Sequence, residues 1–145
     1  MANICTTIKQ SKKLLELGLD PITSDMYWGL KGSLMHPSDE YELNIGRDPA
    51  IEHNLFSYRE GYTIPAWSLS ALLEIMPKVD DTISICIPNF FKYYPKKEYE
   101  RYICSYIREN LVACSIMQFS STNLIEAAYN MVIWLLENNY LPKSE

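Results

Sequence analysis

The hydrophobic period constrains this chain most, because it switches from helical to extended and back within the second half. In "LSALLEIM", Leu69, Leu72, Leu73 and Met76 fall at i, i+3, i+4 and i+7, the stripe of an amphipathic helix. In "TISICI", Ile83, Ile85 and Ile87 alternate with Ser84 and Cys86, the period of a half-buried strand. From Ile125 the spacing returns to 3.6: Ile125, Ala128, Tyr129, Val132, Leu135 and Leu136 share one broad face, and Glu126, Asn130 and Glu137 mark a polar strip. A second apolar stripe, Ala127, Met131 and Trp134, runs beside that face. Such a chain is α+β.

Punctuation sets the bounds. Thr7 followed by Gln10 forms a capping box, Gly18 supplies a left-handed residue that ends the helix, and Pro21 prevents its resumption. Ser68 is a good N-cap, Trp67 is placed to staple onto Leu72, and Pro77 stops that helix. Asn123 with Glu126 opens the last one. Helices are therefore expected at about 7–18, 68–76 and 123–138.

"KEYERYICSYIRENLVACSIMQF" reads as two strands turning at Glu109-Asn110, so that Ile107 pairs with Val112, Ser105 with Cys114 and Ile103 with Ile116. The other face then sets Tyr102, Cys104 and Tyr106 against Met117, Ser115 and Ala113, and this segregation supports the register. Residues 24–66 hold four of the five glycines, both histidines and Pro37, Pro49 and Pro65; within them "SDMYWGL" and "YELNI" suit a hairpin or sheet edge. The expected architecture is one domain over 1–145: an antiparallel sheet with strands at about 25–30, 40–45, 82–88, 98–108 and 111–119, and the three helices on one face.

Charge and cysteine usage narrow the function. With net charge −5 over 145 residues the chain has no global pull toward nucleic acid or anionic lipid. Lys92, Lys96, Lys97, Arg101 and Arg108 are interleaved with Glu98 and Glu100, a solvated mixed face. Met1-Ala2-Asn3-Ile4 lacks the basic start and apolar run of a signal peptide, and the longest apolar run, Met131–Leu136, is far short of the roughly 20 residues of a membrane span. A cytoplasmic protein is expected.

Cys5, Cys86, Cys104 and Cys114 show no C-x-x-C spacing and read as buried reduced thiols. His36 and His53 lack zinc-site spacing, so neither metal nor cofactor is expected. Phosphate-loop, dinucleotide, metalloprotease and nucleophile-elbow motifs are missing from the sequence. A Cys–His pair from Cys86, Cys104 or Cys114 with His36 or His53 is conceivable, but buried thiols and loop histidines explain the same residues. Asp80-Asp81 reads as a polar turn. An enzyme is the less favoured expectation.

The positive signal is aromatic: eleven tyrosines, a residue type enriched at interfaces for its large area and polar tip. Tyr93, Tyr94, Tyr102 and Tyr106, with Met117, Met131 and Trp134, form the candidate interaction surface. Trp28, His36 and Trp67 form a candidate pocket, although Trp67 already has its staple role. The expected function is protein–protein interaction through the tyrosine-bearing sheet face or the 24–66 segment, with an unknown protein or a second copy as partner. The alternatives are a small-ligand or enzyme pocket near Trp28 and Trp67, and a nucleic-acid-associated role.

Three blocks, "ICTTIKQSKKLLELGLDPITSDMYW", "IPAWSLSALLEIMP" and "EAAYNMVIWLLENNYL", carry a resemblance. They are similar in sequence and order to a family of small proteins found in gut bacteria and in their phages or other mobile elements. The resemblance covers about half the chain. It implies an intracellular α+β protein of mobile-element origin, and it brings no catalytic or binding residues with it.

Overall fold

A computed structural model describes residues 4–32, 37–76, 83–92, 100–108, 115–121 and 123–143; for 37–38, 83–92, 100–108 and 115–121 it describes the backbone. The expected helices form as α1 (Ile8–Glu16), α4 (Leu69–Ile75) and α5 (Leu124–Glu137). Two short helices, α2 (Pro49–Glu52) and α3 (Phe56–Arg59), and a 3-10 turn at Pro21–Thr23 lie between the first two.

Each cap follows from its residue. The Thr7 hydroxyl accepts from the Gln10 N–H at 3.1 Å while the Gln10 side chain accepts from the Thr7 N–H at 3.0 Å. Ser68 accepts from the Ala71 N–H, and Asn123 from the Ile125 and Glu126 N–H groups. At the other end of α1, Gly18 (φ +98°) lets its N–H reach the Leu15 carbonyl and the Leu19 N–H reach Leu14, the double bond of a Schellman ending. Asn139 (φ +61°) ends α5 the same way, with Tyr140 donating to Leu135.

The α+β class with antiparallel pairing is observed, but the strands divide between two sheets. The first has the order β2 (Pro37–Ile45), β1 (Met26–Gly32), β3 (Thr63–Ala66), and the second the order β4 (Ile83–Lys92), β5 (Glu100–Arg108), β6 (Ser115–Ser121). β1 and β2 pair as the expected hairpin, Trp28 opposite Leu43. β3 was not foreseen. It is short, buried along its whole length and contains Pro65, which argues against a strand unless the missing N–H faces away from the neighbouring chain. β4 runs past the expected end at Pro88, and its pairing with β5 shifts between Cys86 and Asn89, where proline has no N–H to give the ladder.

The β5–β6 register is corrected. Ser105 pairs with Gln118 rather than Cys114, and Ile103 with Ser120 rather than Ile116. A slip of four keeps the parity of the pairing, so Tyr102, Cys104 and Tyr106 still oppose odd-numbered residues: Ser121, Phe119 and Met117. Ile107 meets Ser115 instead of Val112, across a shift after Tyr106. The alternation could not choose between registers of equal parity; the Glu109-Asn110 turn itself lies outside the described residues, as do Asp80-Asp81.

The core joins α1, α4 and α5: Leu14, Trp67, Leu72, Met131, Leu135 and Leu136 are all inaccessible to solvent. α5 lies against β5 and β6 of the second sheet and also against α4, while α1 lies against β3 of the first. A helix with neighbours on both sides needs apolar residues around most of its circumference. That accounts for the two greasy stripes of α5.

Candidate functional site

The sequence candidates separate. Met131 belongs to no surface: it is fully buried with Ala127 in the core shared with α1 and α4, so the second stripe of α5 is satisfied within the chain. Trp134 keeps partial exposure but stacks on Tyr140, ring centroids 5.3 Å apart. Trp67 stands in the core rather than at the surface. It is fully buried, and its indole N–H donates to the Thr23 hydroxyl at 2.9 Å. Tyr102, Tyr106 and Met117 stand on β5 and β6, with Tyr106 opposite Met117; Tyr93, Tyr94 and His36 lie outside the described residues.

Trp28 stands in the expected hairpin of the first sheet. Its indole N–H donates to the Thr6 carbonyl at 3.0 Å. Thr6 in turn joins the N-terminal segment to the end of β3: its N–H donates to the Trp67 carbonyl, its hydroxyl accepts from the Trp67 N–H at 3.0 Å and sits 2.8 Å from the Ser11 hydroxyl. Cys5 bridges to Ser68, whose N–H and hydroxyl both donate to the Asp25 carboxylate. The N-terminal segment therefore closes the β3 edge of the first sheet.

The same seam bears on nucleophilic chemistry. Burial, then the nearby Asp25 carboxylate, push the Cys5 thiol up to about 11. The thiol is therefore held protonated at neutral pH, as suits a packed side chain. His53 stands exposed at the end of α2. Among the described residues no three His, Cys, Asp or Glu side chains gather as a metal-holding group, and no helix is long and apolar enough to cross a membrane.

The far edge of the first sheet is different. Leu30 donates its N–H to the Tyr62 carbonyl, so Met26, Trp28 and Leu30 direct their backbone groups toward β3 while Tyr27 and Gly29 direct theirs toward β2. Gly46 donating to Asp25 keeps the same alternation. In β2, Glu42 and Asn44 thus bond inward, and Tyr41, Leu43 and Ile45 point N–H and C=O outward. Among the described residues nothing pairs with that outer edge.

Parity gives those three residues a second property. They share a face with Leu30, Trp28 and Met26, their partners in the register, and with Ile64 and Ala66 of β3. Ile64 and Ala66 are buried, Trp28, Leu30, Tyr41 and Leu43 half-buried, and Ile45 is 81% exposed. Tyr41 anchors the row by donating its hydroxyl to the Gly61 carbonyl at 2.9 Å. Phe56, 52% exposed, packs on Tyr62, ring centroids 6.0 Å apart.

The opposite face carries Glu40, Glu42 and Asn44. Lys31 pairs with Glu40 at 3.5 Å, and burial together with Asp48 and Glu42 raises the Tyr27 phenol. Comparison with protein-family models, with curated proteins and with solved structures finds no match.

The sequence pointed to the 24–66 segment but not to this face within it, because no single run displays it. The face assembles from alternate residues of three strands, one of which was not foreseen. One signal was legible: Asp48-Pro49, an N-cap followed by proline in the first turn, announces α2.

Proposed function

We propose that this chain is a cytoplasmic protein-interaction protein that engages a protein partner through the apolar face of its first sheet. The observation that carries the reading is Ile45, left 81% exposed at the end of a half-buried row of Trp28, Leu30, Tyr41 and Leu43, beside a strand edge unpaired among the described residues. A contiguous apolar area bordered by polar residues is the usual mark of a protein contact. The acid residues of β2 speak against a nucleic-acid surface at this place. The family resemblance supports a phage or mobile-element origin for such an accessory protein.

The test is affinity capture from the native host with the tagged full chain and with an Ile45→Lys/Phe56→Lys variant. Both side chains are exposed, so the fold tolerates the change. Capture of a partner by the parent chain and its loss with the variant is the expected result. Equal retention by both chains overturns the first-sheet assignment. A Tyr102→Ala/Tyr106→Ala variant tests the tyrosine rows of β5 as the contact instead.

A further inference from the structure

Resting on that reading, we propose that the partner binds by adding an extended strand to the outer edge of β2, and that this strand alternates apolar residues with lysine or arginine. The two edges of the first sheet set up the argument. On the β3 side, Thr6 meets both the N–H and the carbonyl of Trp67, and Pro65 has no N–H to offer. On the β2 side, Tyr41, Leu43 and Ile45 point donors and acceptors outward, a ladder ready for another chain.

Alternation on β2 specifies the added strand. Outward-pointing residues put their side chains on the apolar face, and the inward-bonding Glu42 and Asn44 put theirs on the acidic one. A cross-strand neighbour shares the face of the residue it opposes. The incoming chain therefore places apolar residues beside Tyr41, Leu43 and Ile45 and a cation beside Glu42. A second copy of β2 fits less well, because antiparallel self-pairing about Leu43 would set Glu42 against the neutral Asn44 and leave the carboxylate without a cation, whereas a lysine or arginine there adds an opposite-charge pair across the ladder. The occupant is a segment of a different protein with basic residues on one face.

The experiment titrates two end-blocked seven-residue peptides, alternating valine–lysine and alternating valine–glutamate, into the ¹⁵N-labelled full chain. The valine–lysine peptide shifts the Tyr41, Leu43 and Ile45 amides and slows their hydrogen exchange; the valine–glutamate peptide does neither. N-methylation of the valines or of the lysines, one set and not the other, abolishes binding, since only one edge of the peptide pairs. Glu42→Lys, an exposed position, weakens the valine–lysine peptide by about fivefold and gains binding of the glutamate peptide. Equal binding of both peptides, or equal behaviour of the two N-methylated versions, overturns strand addition. If peptides leave the β2 amides unmoved while Ile45→Lys/Phe56→Lys still abolishes partner capture, the apolar face stands and the strand mode falls.

Discussion

Thr6 does more for the first sheet than any other single residue. Its backbone and its hydroxyl both bond Trp67 and its hydroxyl shares a proton with Ser11 in a fully buried setting, while its carbonyl takes the N–H of the half-buried Trp28 indole. Thr6→Val keeps the shape and removes the hydroxyl, which orphans the buried Trp67 N–H. A loss of about 1–3 kcal/mol is expected in urea unfolding. The neighbouring Cys5 gives a pH signature. Its thiol titrates at about 11 when folded, against 9.0 unperturbed, so above pH 9 the unfolded chain releases a proton that the folded chain holds. Stability contributed by Cys5 is complete below pH 9 and is lost as pH rises toward 11, about 2–3 kcal/mol in all. Tyr58, raised by burial and then Asp20, and Tyr129, raised by burial, deepen the loss above pH 10. Cys5→Ser abolishes the part of the decline that begins at pH 9, as thermal melts across pH 7–10 would reveal; a parallel decline in both chains would refute the assignment.

At the scale of elements, helix ends and helix faces carry separate energies. Gly18 stands at φ +98°, and a Cβ there would meet the Lys143 Cβ at 3.0 Å. Gly18→Ala therefore combines left-handed strain with a close contact and costs about 1–2 kcal/mol in denaturant unfolding, with α1 fraying first in hydrogen exchange. Met131→Ala opens a cavity in the core between α1, α4 and α5 and costs about 2–5 kcal/mol. Because Met131 is covered by its own chain, the same variant leaves the sedimentation coefficient unchanged. A shift in association state would restore Met131 to an interface.

These helices were readable in the sequence because each carries its own cap and stripe within a short run, and the first two their stops as well. Thr7 with Gln10, Ser68 with Pro77, and Asn123 announce boundaries that the structure repeats to within two residues. The sheets were readable only as strands. Which strand neighbours which depends on contacts far apart in sequence, such as Trp28 with Ile64 or Cys5 with Ser68. The β5–β6 register slipped by four because parity alone cannot reject an even shift. Of the candidate site, Trp28 was singled out, but as a pocket wall; Tyr41, Leu43 and Ile45 gained meaning only once the ladder fixed their outward backbone groups.

For the whole molecule, the division into two antiparallel sheets joined by a helical core separates stability from contact. α5 buries its apolar circumference against α4 and the second sheet, and Trp67 ties α4 to the first. The first sheet is closed along β3 by the N-terminal segment, and among the described residues its β2 edge is unpaired. An acidic chain with an apolar row beside the β2 edge suits a partner that is itself a protein. The direct test places the photo-reactive residue p-benzoylphenylalanine at Ile45 or, as control, at Lys12 on the exposed side of α1, and irradiates the native host. The account predicts a discrete covalent adduct of one partner from position 45 and none from position 12. Adducts from both positions, or from position 12 alone, would contradict it.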